Sequence, residues 1–166
     1  MHKKTKINKV LAYAIIISLQ LNSVAAYAAG VTAADSRTTV NNSGTAPVVN
    51  IAQPNANGLS HNKYTDFNVN NNGLVLNNST TAVNGTLAGN IAGNTNLGGR
   101  AAGIILNEVV SANPSQLNGT IQIAGQQAAL VIANPNGISA AGVGFVNTSR
   151  VVMTTGTPNV DAGGSL

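Results

Sequence analysis

The sequence predicts an all-β chain wound as a parallel coil of short strands, and three observations carry that expectation. Apolar runs of strand length recur along it, no window of eleven or more residues shows capped helical periodicity, and Asn-Gly pairs punctuate the runs. Charged residues make up only 7% of the chain.

The amino terminus stands apart. Lys3, Lys4, Lys6 and Lys9 precede an uncharged run from Val10 to Leu21, and Ala26-Tyr27-Ala28 offers small residues for cleavage after Ala28. This is the pattern of a secretory signal peptide over residues 1–28, read by the Sec translocon and signal peptidase. An apolar run of about 12 residues is too short for a membrane span, which needs roughly 20. The formal charge of +4 resides in those four lysines. Beyond them Arg37, Lys63, Arg100 and Arg150 balance Asp35, Asp66, Glu108 and Asp161, so no basic footprint for nucleic acid is left. Cys is absent, and an exported domain of this composition must rely on a hydrogen-bonded core rather than on disulfides.

Residues 29–45 are rich in Ser, Thr and Asn and are expected as a leader strand or loop, followed by the main domain over 46–166. Strands are expected at Val48-Val49-Asn50-Ile51, Leu74-Val75-Leu76, Gly103-Ile104-Ile105-Leu106, Ile121-Gln122-Ile123, Leu130-Val131-Ile132, Phe145-Val146 and Val151-Val152-Met153. Asn57-Gly58, Asn72-Gly73, Asn84-Gly85, Asn118-Gly119 and Asn136-Gly137 are expected as turns, because both residue types tolerate positive φ. An antiparallel sandwich remains the alternative, but its strands should alternate apolar with polar, often charged, positions. Here Asn follows short, nearly uncharged runs, which suits stacked rungs whose amides bond to the rungs above and below. No fixed period emerges, so irregular rungs are expected.

Catalytic parts are scarce. His61 is the one histidine after the signal segment, which rules out a two-His metal site within one chain. Ser60, His61 and Asp66 have triad chemistry but not triad geometry, since adjacent side chains of an extended chain point to opposite faces. His61, Lys63, Tyr64 and Asp66 are expected on a turn or strand with their polar ends in water. Four scattered acids supply neither the carboxylate pair of a glycoside-cleaving enzyme nor calcium ligands as well. Gly98-Gly99 and Gly142-Val143-Gly144 lack the context of a phosphate loop. No enzyme activity and no cofactor are expected.

The block Val131-Ile132-Ala133-Asn134-Pro135-Asn136-Gly137-Ile138, followed by Gly142-Val143-Gly144-Phe145-Val146-Asn147-Thr148 and Arg150-Val151-Val152-Met153-Thr154-Thr155-Gly156, resembles the secretion domain of filamentous haemagglutinin-like exoproteins. Upstream blocks agree in order, among them Gly58-Leu59-Ser60-His61-Asn62-Lys63-Tyr64, Gly73-Leu74-Val75-Leu76-Asn77-Asn78-Ser79 and Ile105-Leu106-Asn107-Glu108-Val109. The resemblance covers residues 46 to 157. It implies a right-handed, single-stranded parallel β-helix of pectin-lyase-like type, here truncated at its C-terminal end. It also implies two-partner secretion, in which a cognate outer-membrane β-barrel transporter recognises the domain through its periplasmic domains and exports it to the surface of a Gram-negative bacterium. Adhesins, haemolysins and contact-dependent growth-inhibition toxins belong to the family, so host-cell surface ligands of a parent exoprotein are implied partners. Two Asn-Pro-Asn motifs go with secretion competence in the family. The second is intact as Asn134-Pro135-Asn136-Gly137-Ile138, whereas Asn94-Thr95-Asn96-Leu97 carries Thr in place of the first Pro. The alternative is a stand-alone adhesin that binds glycans or haem-type ligands near Tyr64 and Phe67.

Overall fold

A computed structural model describes residues 30–166, and the expected signal segment lies outside the described residues. Strand-rich composition and frequent turn residues give short strands on three faces of a coil. The first sheet runs β1 (Val31–Ala33), β4 (Leu59–Phe67), β8 (Ile104–Val109), β11 (Ala128–Ala133) and β14 (Thr148–Thr154) in spatial order. The second runs β2 (Thr39–Asn41), β3 (Val48–Asn50), β5 (Leu74–Asn78), β10 (Thr120–Gly125) and β13 (Gly144–Val146). The third pairs β9 (Ser115–Leu117) with β12 (Ile138–Ala140), and Val69 bridges to Leu117 beside them.

The chain visits these faces in rotation, second, first, third, and each return lays a strand parallel to its predecessor. This is a parallel β-helix, and the antiparallel sandwich is excluded. β1 and β2, within the segment expected as a leader, pair antiparallel with β4 and β3 and close the first rung. An antiparallel hairpin of β6 (Val83–Thr86) and β7 (Gly89–Ile91) interrupts the second rung. That insertion explains the missing period: Leu74 stacks on Ile121, but Thr120 stacks on Gly144.

Stacking places like on like. Val49, Leu76 and Ile123 form one column, Leu74, Ile121 and Phe145 a second, Ile105, Leu130 and Val151 a third, all in one apolar interior. Burying each large aliphatic side chain contributes on the order of 2 kcal/mol. Asn residues stack too. Asn77 donates its amide to Asn50 Oδ1 at 2.9 Å in the neighbouring rung, and Asn62 lies in register with Asn107. Among the described residues no buried side-chain nitrogen or oxygen lacks a partner, as a core this polar requires.

Two expectations need correction. Residues 59–67 form the longest strand of the coil, with Tyr64 and Phe67 in the core, ring centroids 4.9 Å apart. Tyr64 therefore does not hold its hydroxyl in water; it donates to Asn107 Oδ1 at 2.9 Å. Two of the five Asn-Gly pairs are not the expected turns: Asn84-Gly85, despite φ +71° at Gly85, lies within strand β6 at a register shift, with the hairpin turning at Leu87-Ala88, and Asn118-Gly119 has no positive φ at its glycine. Gly119 is required for a different reason: a Cβ there would strike the Asn70 carbonyl oxygen.

Candidate recognition turns

The two Asn-led motifs share one construction. Asn94 has extended backbone (φ −82°, ψ 107°) and caps a single 3-10 turn over Thr95–Leu97, its Oδ1 accepting from the Asn96 amide at 3.0 Å. Its Nδ2 donates to the carbonyls of Ile51 (2.9 Å) and Asn77 (3.0 Å), tying the loop to two neighbouring rungs. Asn134 repeats this: Oδ1 accepts from the Asn136 amide at 2.9 Å, and Nδ2 donates to the Asn113 carbonyl and Ser115 Oγ, both at 2.9 Å. The third residue of each motif reaches outward, Asn96 to the carbonyls of Arg37 and Asn50, Asn136 to that of Ser111 at 2.7 Å.

The same turn occurs twice more. In Asn55-Ala56-Asn57-Gly58 and Asn70-Asn71-Asn72-Gly73, as in Asn134-Pro135-Asn136-Gly137, the first Oδ1 accepts from the third amide. The glycine amide bonds back to the first carbonyl in all three, at 3.0, 2.9 and 3.1 Å, with positive φ at each glycine. What sets Asn94 and Asn134 apart is burial, at 3% and 0% exposure; Asn70 is exposed and Asn55 half-buried.

Burial divides the expected site. Asn94, Leu97 and Asn134 are enclosed, Asn96, Gly137 and Ile138 are half-buried, and Thr95, Pro135 and Asn136 face solvent. In sequence the turns were visible, but not the clamping of adjacent rungs by their first Asn. The signal that could have revealed it is the Asn-x-Asn spacing itself, because an acceptor two residues before an amide closes such a turn.

Elsewhere the chemistry is structural. Ser60 Oγ donates to the Ala52 carbonyl inside the coil, His61 Nε2 lies 2.6 Å from Glu108 Oε2 on the next strand, and Asp66 accepts from Asn113. These three groups do not converge. Asp35 pairs with Arg37 at 2.6 Å, and hydrogen bonding to that guanidinium holds its carboxyl below the usual range. Burial pushes the Tyr64 phenol well above its ordinary value, with the Asp35 charge adding to the effect. Tyr64 and Phe67, the aromatic pair considered for direct ligand binding, are enclosed.

Residues 25–166 match the TPS secretion domain family. The chain is 47% identical over 161 residues to a tRNA nuclease CdiA of Yersinia mollaretii, covering 95% of itself and 5% of that protein. It is 51% identical over 156 residues to a hemolysin of Serratia marcescens, covering 92% of itself and 10% of that protein. The crystal structure of a filamentous hemagglutinin secretion domain superposes with a TM-score of 0.77 at 45% identity, over 81% of this chain and 45% of that one.

Proposed function

The chain belongs to the TPS secretion domain family, and on that premise we propose that it directs an exoprotein to a cognate outer-membrane β-barrel transporter, with residues 94–97 and 134–138 as the elements read. The observation that carries this is the pair of matched Asn-led turns, each combining an enclosed clamp with solvent-facing residues, Thr95 in one and Pro135 and Asn136 in the other. In the folded domain a partner reaches Thr95, Pro135 and Asn136, while Asn94, Leu97 and Asn134 become accessible only before the rungs close.

In this proposal the Sec translocon and signal peptidase handle passage across the inner membrane. The transporter's periplasmic domains then accept the chain, and it emerges at the surface of a Gram-negative cell. The domain itself recognises and leads, without catalysis. Adhesive, haemolytic or nuclease activities of the kind its relatives' names record are proposed to belong to other parts of such exoproteins, since this chain spans only 5% and 10% of the two described.

Binding of the purified chain to the transporter's periplasmic domains, compared with a glycan array, tests the proposal. Binding to those domains, weakened by Asn136→Ala in a chain that still folds, is expected. Glycan binding without transporter binding would overturn it in favour of an adhesin.

A further inference from the structure

The first sheet carries apolar residues on both of its faces. Its inward residues join the main core, but Leu59, Leu106, Val131 and Ala133 form a separate cluster with Ile104 and Val152 on the outside, as alternation along the strands dictates. Residues following β14 turn back over this outer face. Val160 packs into the cluster, and Pro158 and Leu166 border a groove of about 450 Å³ with Ile104, Val131 and Val152.

The returning segment ends on the first rung. Its 161–165 turn is closed by the Gly164 amide on the Asp161 carbonyl and the Ser165 amide on Asp161 Oδ1. Asn55 Nδ2 donates to the Gly164 carbonyl and Asn57 Nδ2 to the Gly163 carbonyl, both at 2.6 Å. Gly164 is specified twice over, by φ +79° and because a Cβ there would strike the Asn55 amide. The receiving loop is itself braced, since the Arg100 guanidinium donates to the carbonyls of Pro54, Asn55 and Ala56.

We propose that Asn55-Ala56-Asn57-Gly58 is a third clamp, that its ligand is the 161–165 turn, and that residues 155–166 form a latch closing only once β4, β8, β11 and β14 are stacked. The segment departs from β14 and lands beside β4, three strand spacings or about 14 Å away. Its anchor therefore exists only when β4, β8, β11 and β14 are stacked. Closure hides the outer apolar cluster and ties the fourth described rung to the first, so β14 is held in the stack until the latch opens. This goes beyond the export reading and stands without it.

Amide hydrogen exchange on the full chain tests the latch. In the wild type, Asp161, Gly164 and Ser165 are expected to exchange at least about tenfold slower than in a free peptide. Asn57→Ala combined with Gly164→Ala, and separately Val160→Asp, should return those three amides to peptide rates and increase binding of an apolar dye. Ile105 and Leu130 should keep their protection. Peptide-like exchange in the wild type, unchanged protection in both variants, or loss of protection throughout the chain in both would each overturn the latch.

Discussion

Replacing Asn134 by Ala separates scaffolding from contact most sharply. The substitution removes three hydrogen bonds of 2.9 Å from a residue with 0% exposure and leaves buried Ser115 Oγ without the amide that serves it. At about 1 kcal/mol for each lost bond, and about 1–3 for a buried group left unsatisfied, the cost is about 4–6 kcal/mol. Asn136→Ala removes one 2.7 Å bond from an exposed side chain and should cost about 0.5–1 kcal/mol. Urea unfolding of the two variants, followed by circular dichroism, measures the difference. An Asn134→Ala midpoint equivalent to less than about 1 kcal/mol of destabilisation would refute the assignment of this residue as a clamp. With the cost confirmed, lost export of Asn136→Ala at near-normal stability points to contact with the transporter.

Three further outcomes follow from the same geometry. Thr95→Pro should stabilise the chain by about 0.4–1 kcal/mol, because Thr95 opens a 3-10 turn after an extended residue, where Pro is favoured; a lower thermal midpoint would contradict this. Gly119→Ala should cost more than Gly85→Ala in denaturant titration, since its Cβ meets the Asn70 backbone whereas Gly85, despite φ +71°, has open space around it. Tyr64 keeps its proton in the fold, its phenol raised by burial, so its contribution is complete below the unfolded value near 10. As pH rises above that value, stability should fall by about 1.4 kcal/mol per unit. Tyr64→Phe should flatten this slope, and an unchanged slope in stability measured from pH 9 to 11.5 would assign it to other groups.

How much of this was legible depended on whether inward positions were apolar. Leu74-Val75-Leu76 and Leu130-Val131-Ile132 announced themselves because apolar residues occupy both faces of their strands. β4 did not, because two of its inward residues are Ser60 and Asn62, whose side chains serve the Ala52 carbonyl and amide and the Leu106 carbonyl. A buried polar residue satisfied by the next rung looks in sequence like an exposed one. β9 and β12, at three residues each, are too short for any pattern. Asn118-Gly119 and Asn84-Gly85 read as turns because Asn-Gly usually marks one, while the real constraint on Gly119 is a backbone some fifty residues away and Gly85 sits at an irregularity within a strand. The Asn-led turns were visible from spacing, but which of the four would be buried depends on what stacks beside them.

The most direct test of the central claim is export itself. The full chain, carrying a reporter after Leu166, is expressed with and without its cognate transporter, and reporter is measured in periplasm and medium. A domain that directs export should place the reporter in the medium only when the transporter is present, with Asn136→Ala reducing that fraction. Reporter retained in the periplasm despite the transporter, or released equally without it, would contradict the account.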